Sequence, residues 1–338
     1  MTKRILVVGP AWVGDMIMAG SLFRLLKRED PEAELTVVAP PATAPLLAFM
    51  PDVDRCARLE VRSGQAGLTA RWRLGRALAK QRIQRAIVLP RSWKSALVPF
   101  FAGATHRVGY GGEFRWGLLN EQRSFDRKAV PRSVDRFVAL GLPAGAMIPP
   151  TPKLRFAVSV SEQEACRQRF SLETSSGKVL ALCPGAAYGP AKRWPAEHFA
   201  AVAAAWGAEG GQVWVLGQKD DQAAGAAIAA TAPQAVTDFT GRSTLGDAVS
   251  LLSLADQVVS NDSGLMHVAA ALEKPLVALY GSSTAEETPP LSDSATVLGL
   301  DLSCRPCHQR TCPLGHLRCL MELSPAMVLD ALHSQTKG

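Results

Sequence analysis

"VVGPAWVGDMIMAGSL", residues 7–22, decides how the chain is read. A strand-like run, Ile5 to Val8, meets a glycine turn and then a long helix with apolar periodicity. Gly9 and Gly14 have the spacing of a phosphate loop, G-x-x-x-x-G-K-[ST]. The next two residues are Asp15 and Met16, where that loop carries a lysine and a hydroxyl. A carboxylate at that position repels a nucleotide's phosphates. The stretch therefore predicts the strand–turn–helix start of a parallel α/β sheet, but with a different task for its first loop. A carboxylate near a helix N-terminus is favourable by itself, worth about 0.3–1 kcal/mol. It is equally a place for a general base within reach of a substrate hydroxyl. Both readings stand on the residue alone.

Outward from that stretch the rhythm continues. "ELTVVAP" (34–40) reads as a strand, "TAPLLAFM" (43–50) as a short helix, residues 68–81 as a very basic helix and "RAIVLP" (85–90) as another strand. Alternating β and α signals mean a parallel sheet covered on both faces. The Pro- and Gly-rich stretch "LPAGAMIPPTPKLRF" (142–156) breaks the pattern and predicts a domain linker. The rhythm then restarts with "KVLALCPG", "PAEHFAAVAAAWGAEG", "GQVWVLG" and "DQAAGAAIAAT". It continues through "LGDAVSLLSLA", "DQVVSND", "GLMHVAAALE" and "KPLVALYG". Two doubly wound α/β domains in tandem are expected, spanning 1–155 and 156–338, with a terminal helix about 324–335. Ligands of such sheets bind beyond the carboxyl ends of the strands, and the cleft between two domains is the default active site.

Composition agrees. The 338 residues are about twice a usual domain, with 47% hydrophobic and 20% charged residues, as in a globular enzyme. The longest apolar runs, such as "ALVPFFAGA" (96–104), are too short to span a bilayer, and the N-terminus reads as a strand, not a signal peptide. A cytoplasmic protein is expected. The net charge of +7 is uneven: residues 1–150 hold 23 Lys/Arg against 12 Asp/Glu, and residues 151–338 hold 14 against 18. A basic half attracts anionic partners, unless it is only a solvated surface.

Three further motifs carry chemistry. In "CPGAAYGPAKRWP" (183–195) a strand ends in a glycine turn, and Lys192 and Arg193 precede a helix opened near Pro195. Cations there suit a diphosphate, or are simply exposed. In "SNDSGLMHVAAAL" (260–272), Asn261, Asp262 and Ser263 are capping residue types and Gly264 lets a ligand approach. A helix start binds phosphate, while Asp262 suits a sugar hydroxyl. His267, one turn on, is a ligand contact or a packing residue. "CRPCHQRTCPLGHLRC" (304–319) spaces Cys304, Cys307, Cys312 and Cys319 as C-x2-C-x4-C-x6-C, with His308 and His316 nearby. Structural zinc, free thiols packing a loop, and disulfides are the three readings.

Taken together, "GPAWVGDMIMAGSL", "LPRSWKSALVPFFAGATHRVGY" (89–110), "CPGAAYGPAKRWP" and "NDSGLMHVAAALEKPLVALYG" resemble the ADP-heptose:lipopolysaccharide heptosyltransferases, in the same order over nearly the whole chain. The Cys segment resembles one present in some members only. The resemblance implies the GT-B fold, two Rossmann-like domains facing an interdomain cleft, the first for the acceptor and the second for the ADP-sugar. It implies inverting transfer of L-glycero-D-manno-heptose from ADP-heptose to the first heptose of the inner core, or to another inner-core acceptor. Asp15 is then the base. Gly185, Ala187, Tyr188, Lys192, Asp220, Asp262, Ser263, Gly264 and His267 hold the donor. Transfer itself then needs no metal ion, and zinc, where that reading of the four cysteines holds, is structural. The acceptor is a Kdo-containing lipid A core, strongly anionic, so the protein is expected to be peripheral on the cytoplasmic face of the inner membrane. Candidate acceptor contacts are Arg91, Ser92 and Lys94, with the basic stretch Arg71 to Arg85 steering the membrane surface. A dinucleotide oxidoreductase lacks support, since neither half has a clean G-x-G-x-x-G after its first strand. A nucleic-acid-binding zinc protein is disfavoured because the basic charge and the cysteines lie in opposite halves, so no nucleic acid partner is expected.

Overall fold

Each apolar run bounded by turn residues becomes a buried strand, and the sheet they form decides where the loops emerge. The structure, a computed structural model, describes residues 3–61, 65–172 and 177–335. The expected domain spans also include residues 1–2, 62–64, 173–176 and 336–338, which lie outside the described residues. The chain divides into two units, residues 1–156 and 157–338.

The first unit runs β1 (Arg4–Val8), α1 (Val13–Glu29), β2 (Glu34–Ala39), β3 (Arg55–Arg58), α2 (Leu68–Ala79), β4 (Arg85–Val88), α3 (Leu97–Phe101), β5 (His106–Tyr110), β6 (Glu121–Arg123) and α4 (Ser133–Gly141). Its described strands form one parallel sheet in the order β3-β2-β1-β4-β5-β6. The order reverses between β1 and β4, where Val8 lies beside Val88. On one face Leu6, Val8, Val38, Ala86 and Val88 pack with Leu78 of α2 and with Val98 of α3. On the other, α1 packs against α4 and buries ten of its residues, among them Met16, Leu22 and Phe23. Each such side chain stabilises the fold by about 1.5–3 kcal/mol. Gly9 serves this packing: a Cβ there would overlap the end of Met16. The glycine that suggests a phosphate loop is needed so that the first turn of α1 can lie on the sheet. The Pro- and Gly-rich stretch also belongs to this unit, with Leu154 buried against Gly20 and Phe156 facing Phe49 at 6.1 Å.

The second unit repeats the plan. It runs α5 (Val160–Phe170), β7 (Val179–Cys183), α6 (Ala196–Ala208), β8 (Gln212–Val215), α7 (Gln222–Thr231), β9 (Val236–Asp238), α8 (Leu245–Leu254), β10 (Gln257–Asn261), α9 (Gly264–Ala271), β11 (Leu276–Leu279), β12 (Ala295–Leu298), α10 (Arg318–Met321) and α11 (Pro325–Gln335). The sheet order is β12-β11-β10-β7-β8-β9, again parallel, and it reverses between β7 and β10. Leu180, Leu182, Val213, Val259 and Leu279 meet Phe199 and Trp206 of α6 and Leu332 of α11 in its core. Both units thus have the doubly wound topology, whose ligands bind at the carboxyl ends of the strands beside the reversal.

Candidate active site

In the first unit two loops flank the reversal. Asp15 is the third residue of α1, half-buried, just past the end of β1. Trp12 occupies the N-cap position and makes no side-chain cap bond, so the acidic charge of the first turn comes from Asp15. The buried Thr43 hydroxyl donates to the Pro10 carbonyl at 3.2 Å and holds this loop from beneath. Beyond β4, Arg91, Ser92 and Lys94 lie on the neighbouring loop. The Arg91 guanidinium stacks 4.0 Å from the Phe125 ring centroid and donates to the Gly111 carbonyl at 3.2 Å. The Lys94 ammonium reaches the Gln65 carbonyl at 3.4 Å. The four sequence-predicted residues of this unit therefore follow the two neighbouring central strands at the carboxyl end of the sheet.

In the second unit the same position holds a charged network. Lys192 follows β7 on a short 3-10 turn, and Asp262 follows β10. Their side chains meet at 2.5 Å, and Ser283 Oγ donates to the same carboxylate oxygen at 2.5 Å. Asp262 is buried, 6% exposed, and these charge-assisted bonds hold it. The Lys192 ammonium also lies 4.9 Å from the Tyr188 ring centroid. Asn261 joins the two loops: its Oδ1 accepts from the Trp194 N–H at 3.0 Å and its Nδ2 donates to the Pro184 carbonyl at 2.7 Å. Ser263 is the N-cap of α9 and Gly264 its first residue. Ala187 and Tyr188 are exposed on the loop after β7. Asp220 is exposed on the turn after β8, whereas its neighbour Asp221 is buried and enters the site. Asp221 Oδ1 lies 3.4 Å from Arg193 Nη2, and a Cβ on Gly185 would overlap the Asp221 carboxylate. Gly185 is thus required by a carboxylate that sequence reasoning passed over. Asp221 and Ser283 carry no sequence signal that separates them from ordinary surface residues.

The Cys-rich segment is built onto this network. The Tyr188 hydroxyl donates to the His308 carbonyl at 2.6 Å, and Arg310 Nε donates to the Tyr188 carbonyl at 2.7 Å. The Ala191 N–H donates to the Arg310 carbonyl at 3.0 Å. Cys304, Cys307, Cys312, Cys319 and His316 line one pocket backed by Ala191. Yet among the described residues no group of three or more His, Cys, Asp or Glu is gathered to hold a metal ion. The four thiols of the expected zinc set nevertheless face one another across this pocket. Backbone N–H groups of Leu317, Leu314, Gly315 and His316 hold the Cys312 thiol below its usual range, while burial on α10 pushes Cys319 up. What the segment does here is brace the turn that carries Lys192.

His267 lies beneath the network, 4% exposed on α9. Burial lowers its pKa to about 4, partly opposed by Asp262 and reinforced by Lys192. A group with a depressed folded pKa contributes stability that is full above its unfolded value, here near 6.5, and lost as pH falls toward 4. At pH 4.5 the loss from this residue is about 2.5 kcal/mol by linkage. Urea unfolding at pH 7 and pH 4.5 is expected to show that loss in the wild type, and His267→Gln is expected to remove it. An equal pH dependence in the variant refutes the assignment. The imidazole is neutral at physiological pH, so it brings no charge to the site.

Residues 71–318 match the family model of glycosyltransferase family 9 (heptosyltransferase). The chain is 42% identical to the lipopolysaccharide heptosyltransferase 2 of Salmonella typhimurium, with 98% of each protein covered. It matches the structure of Escherichia coli ADP-heptose LPS heptosyltransferase II with a TM-score of 0.87 and 41% identity over 98% of both chains. A lipopolysaccharide heptosyltransferase 1 of Pseudomonas aeruginosa is 26% identical, over 91% of this chain and 87% of its own. The doubled parallel sheets, the paired loops at each reversal and the chain-long similarity agree: the chain is a glycosyltransferase and belongs to family 9, the heptosyltransferases.

Proposed function

We propose that the chain catalyses the heptosyltransferase II reaction, transfer of L-glycero-D-manno-heptose from ADP-heptose to the first heptose of the lipopolysaccharide inner core. The observation that carries this reading is the split of charge between the two reversals. An acidic residue, Asp15, starts the helix after β1, and Lys192 with Asp262 occupies the equivalent place in the second unit. A nucleotide's diphosphate is repelled by the first, whereas at the second it meets the Lys192 ammonium beside the N–H groups that start α9. The higher identity to heptosyltransferase 2 relatives than to a heptosyltransferase 1 supports the choice of acceptor.

In the proposed mechanism the acceptor hydroxyl gives its proton to the Asp15 carboxylate as its oxygen attacks the anomeric carbon. The bond from that carbon to the ADP oxygen breaks, and configuration inverts. The transition state is oxocarbenium-like, as in glycosidases. Charge develops on the leaving diphosphate. Lys192 and the backbone N–H groups at the start of α9 stabilise it, preorganised donors doing what an oxyanion hole does. Lys192 is held in place for this by Asp262, Tyr188 and the braced turn. In this reading the positive charge beside the leaving diphosphate is that of Lys192. Arg91, Ser92 and Lys94 meet the anionic core of the acceptor, Arg by paired hydrogen bonds to carboxylate or phosphate. No described helix is long and apolar enough to cross a membrane. The lipid-anchored acceptor therefore brings the protein to the cytoplasmic face of the inner membrane as a peripheral enzyme. The test is a transfer assay with ADP-heptose and two defined Kdo-containing cores, one without heptose and one with a single heptose. The second is expected to be the substrate. Transfer only to the heptose-free core overturns the assignment.

A further inference from the structure

The loop between β5 and β6 holds two aromatic side chains more exposed than any other large hydrophobic aromatic among the described residues. Phe114 is 88% exposed and Trp116 82%, while Arg115 between them is 1% exposed. Alternation makes the tip. The Arg115 guanidinium turns inward and donates to the Tyr110 carbonyl at 2.7 Å, and its backbone carbonyl accepts from the N–H groups of Leu118 and Leu119 at 3.1 Å each. With its centre pinned, the loop presents both rings to solvent. The tip adjoins the candidate acceptor loop: Arg91 donates to the Gly111 carbonyl, and Glu113 accepts from the Trp93 N–H at 3.1 Å. In the sequence on either side of it, from Arg71 to Arg132, stand 14 Lys/Arg against three Asp/Glu, and of them Arg73, Arg76, Lys80, Arg82, Arg91, Arg127 and Lys128 are exposed.

Two large rings on a convex tip offer no wall for a small ligand. Phe and Trp beside a strongly basic surface fit the headgroup zone of an anionic bilayer, where rings insert and cations pair with lipid phosphates. We infer that Phe114 and Trp116 form a bilayer-docking tip that inserts into an anionic lipid leaflet and brings the Arg91–Lys94 loop to its surface. The inference rests on the proposed reading that the acceptor is membrane-borne. It assigns the contact to one loop.

The test is co-sedimentation with vesicles of phosphatidylethanolamine and phosphatidylglycerol (3:1), with phosphatidylcholine vesicles as comparison. Wild-type protein is expected to bind the anionic vesicles, and Phe114→Ser/Trp116→Ser to bind them about tenfold or more weakly. Both are expected to turn over a water-soluble, deacylated acceptor at the same rate. Brominated lipids are expected to quench part of the tryptophan emission, and Trp116→Phe to lose that part while still binding. Binding by the double variant within twofold of wild type overturns the inference, as does unchanged quenching in Trp116→Phe. Equal binding to both vesicle types also overturns it. If the wild type binds anionic vesicles through the tip but transfers nothing to the soluble acceptor, the proposed function fails and the docking tip stands.

Discussion

Asp15→Asn is expected to lower kcat by roughly 10²–10⁴-fold, the usual worth of a general base. The amide is nearly isosteric with the carboxylate but takes no proton from the acceptor hydroxyl. Because the base acts in the transition state, kcat and kcat/KM should fall together, with little change in the KM for ADP-heptose. Structure should hold. Asp15 is half-buried in the first turn of α1, where a negative charge contributes about 0.3–1 kcal/mol against the helix dipole. The bulk of α1 is fixed by ten buried residues that the substitution leaves alone. A fall in Tm of a few degrees at most follows for a unit of this size. Steady-state kinetics and a thermal melt on one preparation separate the two effects. Turnover within threefold of wild type removes Asp15 from the role of base.

The interior of both sheets was legible because parallel strands buried on two faces need unbroken apolar runs, and "RILVV", "ELTVVA" and "VLALC" are such runs. The edges were not. β3 is "RCAR" with one buried residue, β6 is "EQR" and β9 is "VTD", too short and polar to leave a pattern. α5, "VSEQEACRQRF", buries only Cys166 and so shows no apolar stripe; its capping box at Ser159 and Glu162 was its one readable sign. Gly9 shows the limit from the other side. Its spacing suggests phosphate binding, but its cause is the contact between β1 and Met16.

The candidate site divides in the same way. Strand-end loops are predictable places for function, so Asp15, Lys192 and Asp262 could be singled out one at a time. Their partners could not. Lys192 and Asp262 are 70 residues apart, and each alone reads as a solvated charge. Asp220 and Asp221 are twins in sequence, and only the packing of the turn after β8 decides that the second is buried against Gly185. The four cysteines have metal-ligand spacing, and the structure brings them to one pocket that also braces the Lys192 turn, a second role that their spacing does not announce. Spacing limits what a segment can do. Burial and hydrogen bonding decide which of those things it does.

Lys192→Met is expected to lower kcat/KM by roughly 10²–10³-fold, comparable to loss of one preorganised oxyanion donor. It is also expected to lower stability, and the two losses have separate causes. Removing the ammonium leaves the Asp262 carboxylate buried with Ser283 still donating to it but no cation. Breaking a buried pair from one side costs about 3–5 kcal/mol. For a unit of this size that is roughly 6–20 °C in Tm. A single variant therefore mixes a missing catalytic charge with an orphaned carboxylate. Lys192→Met/Asp262→Asn separates them, because the amide needs no cation and still accepts the Ser283 hydroxyl. The double variant should regain most of the lost Tm while its turnover stays low, a strong non-additivity in stability with none in rate. Recovery of turnover together with Tm would mean that Lys192 serves only to neutralise Asp262. In that case the diphosphate is held by the start of α9 alone, and the charge split between the two reversals no longer accounts for catalysis.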